Sequence, residues 1–205
     1  RCENYARRHD ENFTVVTRFL PRRLRPHFFA VYAFCRYTDD LGDEAEGDRL
    51  ALLDAWERDF HTALAGEAVR PLLIALARTI MDCEIPTEPF LRLIEANRMD
   101  QRVSRFESYD KLRDYCSYSA MPVGRMVLAV LGYHDDERIA LSDDTCVGLQ
   151  LANFWQDVSV DIRKGRIYVP LEDLRRFSCS EEQIKQRRFD VNFRDLMRFE
   201  VTRAR

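Results

Sequence analysis

Four acidic residues close the stretch Cys35-Arg36-Tyr37-Thr38-Asp39-Asp40-Leu41-Gly42-Asp43-Glu44, directly after the apolar run Phe28-Phe29-Ala30-Val31-Tyr32-Ala33-Phe34. A helix that is apolar on every side belongs inside a protein, so carboxylates at its end need a partner. Asp39 and Asp43 stand one helical turn apart on one face. Like charges there repel unless a cation lies between them. A second set stands at Asn153, Asp157 and Asp161. Its four-residue steps keep one polar stripe, drifting about 40° per step on a helix of 3.6 residues per turn. The residues between are largely apolar, so this helix too is expected inside. Oxygen ligands in this pattern suit Mg²⁺, with Mn²⁺ as a substitute, a hard cation that takes carboxylates, waters and substrate phosphates. Two such helices facing each other would hold metal ions and, through them, a diphosphate. Arg36, Arg163, Lys164 and Arg166 supply cationic groups for its remaining oxygens.

The elements that must position these residues read as helices throughout. The opening helix is expected over about 26–45, and Gly42 inside it points to helix loosening or to close approach by another backbone. An amphipathic helix follows from Asp48 to Phe60, then helices over about 71–82 and from Pro86 to Arg102. Residues 109–131 read as helix, interrupted or bent at Pro122-Val123-Gly124. His134-Asp135-Asp136 reads as a loop before a long helix over about 143–163, which Lys164-Gly165-Arg166 ends. Pro170 starts a short helix, and two more follow over 181–188 and 192–205. No segment alternates with period two and no repeat recurs. The expected architecture is a single all-α domain, residues 1–205, with a central cavity.

Bulk properties agree. Seven Gly and seven Pro in 205 residues are few for the turns of an all-β fold. A formal net charge of -3 gives no reason to expect nucleic acid. The excess of Arg over Lys fits phosphate contacts and equally a GC-rich genome. The basic turn Pro21-Arg22-Arg23-Leu24-Arg25-Pro26 reads as a solvated helix start or as a contact for phosphate or an anionic membrane surface. Cys2, Cys35, Cys83, Cys116, Cys146 and Cys179 form no paired motif and read as free, mostly buried thiols of a reducing cytoplasm. No apolar run is long enough to span a bilayer. The chain starts at Arg1 without Met and stops inside a helical stretch, which reads as truncation at both ends.

The motifs also carry a resemblance. Arg36-x-x-Asp39-Asp40-x-x-Asp43-Glu44 resembles the first aspartate-rich motif of the squalene/phytoene synthase family. Asn153-x-x-x-Asp157-x-x-x-Asp161, with Gly165-Arg166-x-Tyr168-x-Pro170, resembles the second. Asn12-Phe13, the Leu20–Pro26 turn and Ser119-Ala120-x-Pro122-Val123-Gly124-Arg125 resemble the branch found in bacterial hopanoid pathways, whose members act as hydroxysqualene synthases. The resemblance implies an isoprenoid-synthase bundle. Asp39, Asp43, Asp157 and Asp161, with Asn153 at the head of the second motif, would hold Mg²⁺, and Arg36 would contact the diphosphate. Tyr115 would stand by the departing diphosphate, with Lys164, Arg166 and Tyr168 in the loop after the second motif. Asp100 would be a further polar cavity residue.

The implied partner is a prenyl diphosphate. In the hopanoid branch presqualene diphosphate ionises and water captures the cation, which needs no NADPH. In the sister branch two farnesyl diphosphates condense head to head to presqualene diphosphate or squalene. A cation of either kind calls for an apolar, aromatic-walled cavity, and Phe28, Tyr32, Phe34 and Phe154 lie next to the motifs. The implied location is the cytoplasm, with transient contact at the inner membrane face. Three readings compete: an all-α Mg²⁺-dependent nucleotide pyrophosphatase, an HD-type phosphohydrolase using His134-Asp135, and a helical scaffold without catalysis.

Overall fold

A computed structural model describes residues 20–67 and 70–205. Asn12-Phe13 and Cys2 lie outside the described residues. The described residues form helices joined by short loops: α1 (Arg25–Asp43), α2 (Arg49–Leu64), α3 (Pro71–Asp82), α4 (Glu88–Asp100) and α5 (Tyr109–Ser119). There follow α6 (Met121–Val130), α7 (Asp136–Asp161), α8 (Leu171–Arg176), α9 (Glu181–Lys185) and α10 (Val191–Arg203). A 3₁₀ turn (Ile162–Lys164) follows α7. The only β pairing among the described residues is an isolated bridge between Arg105 and Ile167. No helix among them is long and apolar enough to cross a membrane, and the described cysteines are all free.

α1 is the hub. It packs against α2, α3, α4 and α6, while α6 lies along α7 and α4 along α5. The apolar run buries Phe28, Ala30, Val31, Tyr32, Ala33 and Phe34, as its all-round apolar pattern requires. Phe34 is fully buried between the rings of Trp56 (5.5 Å), Phe60 (5.5 Å) and Phe90 (5.1 Å). Thr38, one turn on, accepts a hydrogen bond from Trp56 Nε1 at 2.9 Å. Residues of α1–α4 and α6 build one apolar cluster, and those of α5 and α7–α10 a second.

The structure refines the sequence expectations at several boundaries. Of the two alternatives over 109–131, interruption holds, and the break falls at Ala120, just before Pro122. Pro122 has no N–H to give a continuing helix and is tolerated in the first turn of a new one. The long helix starts at Asp136 because Asp135 caps it, accepting from the Arg138 N–H at 3.0 Å. Its first turns are exposed and lack the apolar period that marks a helix in sequence. The last two helices end sooner than expected, at Lys185 and Arg203.

α10 is anchored on a buried charge cluster. Glu200 is fully buried, with Asp173 and Arg203 as its charged neighbours. Arg203 pairs with buried Asp173 at 2.8 Å and lies 3.8 Å from Glu200. Burial pushes the Glu200 carboxyl up to about 8, against the pull of Arg203 and with the Asp173 charge adding to the rise. A folded-state value above the unfolded one means stability that is full at low pH and lost as pH climbs through the folded value. Glu200→Gln removes the ionisation. The variant is expected to melt higher than the wild type at about pH 8 and to show a flatter melting profile between about pH 5 and pH 8. Equal pH slopes for the two proteins would refute this.

Candidate active site

The two apolar clusters meet around an open cavity of about 400 Å³. Its wall takes Asp39 and Asp43 from α1, Asp100 from the end of α4, and Tyr115 from α5. α7 adds Asn153, Phe154, Asp157 and Asp161, and the segment after it adds Lys164, Arg166 and Tyr168. Every site residue expected from the sequence therefore lines one cavity, with the exceptions of Arg163, whose Nε donates to the Ser159 carbonyl at 3.1 Å, and Arg36. That side chain is held on α1 itself, by Asp40 at 2.8 Å and Glu44 at 2.9 Å. The i,i+4 spacing to Asp40 turns it along its own helix instead of into the cavity. Of the four aromatics beside the motifs, Phe154 alone lines the cavity. Phe28 and Phe34 belong to the first core cluster, and Tyr32 is buried.

The loop after α7 is shaped by Gly165, whose φ of 77° lies in the left-handed region open to glycine. Arg105 Nη1 donates to the Gly165 carbonyl at 2.6 Å, and the Ile167 N–H donates to the Ser104 carbonyl at 3.1 Å. The chain is thereby laid along Ser104–Phe106, and Arg166 and Tyr168 turn into the cavity. Tyr168 stacks on Phe154 with ring centroids 3.8 Å apart and 6° between planes. Tyr115 stands 6.2 Å from Tyr168 and 6.4 Å from Phe154. One cavity wall is thus a run of aromatic faces.

The acidic groups repel one another. Asp39 is reached by water through the open cavity, yet protein surrounds it on most other sides. That burial pushes its carboxyl up to about 6, with Asn97 pulling down and the Asp43 charge adding to the rise. Burial also pushes Asp100 up to about 6, against Arg166 and the Tyr115 hydroxyl. Asp161 is raised by burial and by Asp157. Arg166 answers part of this charge, donating to Asp43 at 3.1 Å. Burial alone would lower its pKa, but Asp100, Tyr168 and Asp43 outweigh burial and raise it. Burial and the neighbouring Asp100 charge hold the Tyr115 hydroxyl well above its ordinary value, so it stays protonated and can donate.

These residues fit a divalent cation. Their donors are oxygens, the choice of Mg²⁺, and their mutual repulsion is what a bound cation would relieve. No three potential ligands among the described residues come together in a closed metal cage. An open set of this kind suits a metal that keeps waters and completes its shell with substrate phosphate.

Asn97 carried no sign in the sequence, and the close approach expected at Gly42 comes from a side chain. Asn97 on α4 reaches across to α1, donating to Asp39 Oδ1 at 3.1 Å. Gly42 owes its place to that same side chain. A Cβ at position 42 would sit inside the contact distance of Asn97 Oδ1, so the close neighbour is a side chain and not a backbone. Gly42→Ala is expected to cost about 1–3 kcal/mol, the range for forcing a methyl into a packed interior. Denaturant unfolding measures it, and a loss below about 0.5 kcal/mol, as at an ordinary surface site, would contradict the crowding.

The fold this bundle and cavity define is that of the isoprenoid synthases. The chain superposes on squalene synthase HpnC from Alicyclobacillus acidocaldarius with a TM-score of 0.95 and 54% identity, covering 99% of this chain and 77% of that one. It superposes on a dehydrosqualene synthase solved in complex with ligand with a TM-score of 0.87 and 29% identity, over 99% and 71%. A phytoene synthase of Arthrospira platensis is 33% identical over all of this chain and 71% of its own length. The Squalene/phytoene synthase family model matches residues 6–205. The chain belongs to the squalene/phytoene synthase family.

Proposed function

We propose that this protein ionises presqualene diphosphate and lets water capture the cation, giving hydroxysqualene and inorganic diphosphate without NADPH. The observation that carries the reading is the opposition of Asp39 and Asp43 to Asp157 and Asp161 across one cavity with an aromatic wall. The 54% identity to a squalene synthase HpnC favours this branch.

Asp39, Asp43, Asn153, Asp157 and Asp161 would hold Mg²⁺. Bound there, Mg²⁺ supplies the charge neutralisation that makes diphosphate a good leaving group. Arg166 and Lys164 offer their cationic groups to the remaining diphosphate oxygens. The protonated Tyr115 hydroxyl donates toward an oxygen of the departing group. Phe154 and Tyr168 present ring faces to the carbocation, whose positive charge the aromatic quadrupole attracts. Attack by water forms the C–O bond, and the proton it loses is taken up by a basic oxygen of the released diphosphate or by bulk water.

A second reading, head-to-head condensation of two farnesyl diphosphates to presqualene diphosphate, is favoured by the likeness to a dehydrosqualene synthase and to phytoene synthases. Incubation with each substrate and Mg²⁺, without NADPH, separates the two. Hydroxysqualene from presqualene diphosphate supports the first. Presqualene diphosphate formed from farnesyl diphosphate, with no alcohol from the other substrate, supports the second. No diphosphate release from either substrate would sink both.

A further inference from the structure

Asn97 is buried on α4, and its carboxamide lies against α1. Nδ2 donates to Asp39 Oδ1 and to the Leu93 carbonyl, each at 3.1 Å. Two acceptors on that side fix which end is nitrogen. Oδ1 occupies the space that a side chain at position 42 would need. One turn on, Gln101 Nε2 donates to the Gly42 carbonyl at 2.9 Å and to the Asn97 carbonyl at 3.1 Å. The crossing of α1 and α4 is therefore stitched by two amides at the point where Asp39 leaves the helix.

A carboxylate on a cavity wall can turn about its Cα–Cβ and Cβ–Cγ bonds, and each turn re-aims its oxygens. A donor fixed on one oxygen stops the rotation and leaves the other oxygen for the cavity. The donor's neutrality matters too. A lysine or arginine at this place would cancel the carboxylate charge and compete with a bound cation, as Arg166 partly does at Asp43. An amide orients the group and leaves its charge available. Hydrogen bonds of this kind to metal-binding groups set ligand orientation, and their loss costs about 10–100-fold in metal affinity.

We infer that Asn97 is a positioning residue for Asp39: it fixes the carboxylate so that one oxygen faces the cavity for a divalent cation, and Gly42 provides the room it needs. This rests on the reading of Asp39 as a metal-holding residue. Asn97 lines the same cavity as Asp39, but its amide nitrogen is already spent on Asp39 Oδ1 and the Leu93 carbonyl, so its role runs through Asp39.

The difficulty for a test is that Asn97 also fills space. Asn97→Ala and the double variant Gly42→Ala/Asn97→Ala separate the two roles. In the double variant the two nearest obstructing atoms, Oδ1 and Cγ of residue 97, are gone, and the added methyl partly refills the gap with the Cβ of residue 97 at 3.2 Å, while the hydrogen bond stays absent. Two readouts apply to each purified protein: the melting temperature in EDTA, and calorimetric titration of Mg²⁺ with inorganic diphosphate present. Circular dichroism at the titration temperature confirms that each protein is folded.

Asn97→Ala is expected to weaken diphosphate-dependent Mg²⁺ binding by about tenfold or more. The double variant is expected to melt closer to the wild type and to keep that weakening. Recovery of wild-type Mg²⁺ affinity in the double variant would make Asn97 a packing residue and overturn the inference. So would an Asn97→Ala protein that binds Mg²⁺ as the wild type does. A wild type that takes up no Mg²⁺ with diphosphate fails at an earlier point: it refutes the metal reading itself, and the positioning role falls with it.

Discussion

Asp39→Asn and Asp157→Asn are each expected to cut diphosphate release by about a thousandfold or more, several kcal/mol of lost charge stabilisation at about 1.4 kcal/mol per tenfold. The two substitutions strike opposite walls, since Asp39 comes from α1 and Asp157 from α7. Each keeps the shape of its side chain and removes one negative charge. A site that works by gathering metal ions between the walls loses function from either side. A site in which one wall merely pairs with protein cations tolerates the change on that wall. Neither substitution should harm the fold, because both side chains reach the open cavity. Removing a charge from a self-repelling cluster is more apt to raise the melting temperature than to lower it. The measurement is diphosphate released per enzyme over a range of Mg²⁺ concentrations, with circular dichroism as the folding control. Activity within about tenfold of wild type for either variant, a difference of about 1.4 kcal/mol, would remove the metal role from that residue.

Phe34→Ala is expected to destabilise the protein by about 3–5 kcal/mol, the usual range for emptying a fully buried phenylalanine site. The ring is completely excluded from solvent and touches aromatic rings from α2 and α4. The edge-to-face contact with Phe90 (87° between planes) adds specific geometry that smaller side chains cannot reproduce. Its effect reaches the site through α1. Phe34 is one residue before Cys35, a cavity-lining residue, and five before Asp39. Loss of the ring frees the helix that carries the first pair of carboxylates. Denaturant unfolding is the test, and a cost under about 1.5 kcal/mol would show that the cluster collapses to fill the gap.

Much of the site was legible because it obeys helix periodicity. Asp39 with Asp43, and Asn153 with Asp157 and Asp161, are local patterns, and four-residue steps on a helix leave little freedom in which face they share. Arg36 shows the limit of such reasoning. Its charge suited a diphosphate, but its own helix offers Asp40 one turn on and Glu44 two turns on, and it points to them. Tyr115 and Asp100 were placed by likeness to a family, and their meeting depends on how α4 and α5 pack. Asn97 had no signature, since a lone Asn in an apolar helix reads like any other polar residue until its partner is known.

The sequence by itself determined the helices, the two acidic stripes and the apolar character of the helix that carries the first. Those features depend on residues a few positions apart, and backbone geometry ties such residues together directly. Tertiary structure alone decided that the stripes face one cavity, that Arg166 meets Asp43 there, and that Gly42 yields its space to Asn97. Each of these depends on distances between segments remote in the chain, 58 residues for Asn97 and Asp39 and 123 for Arg166 and Asp43. No local periodicity encodes such distances, because they follow from how whole helices settle against one another around a shared core.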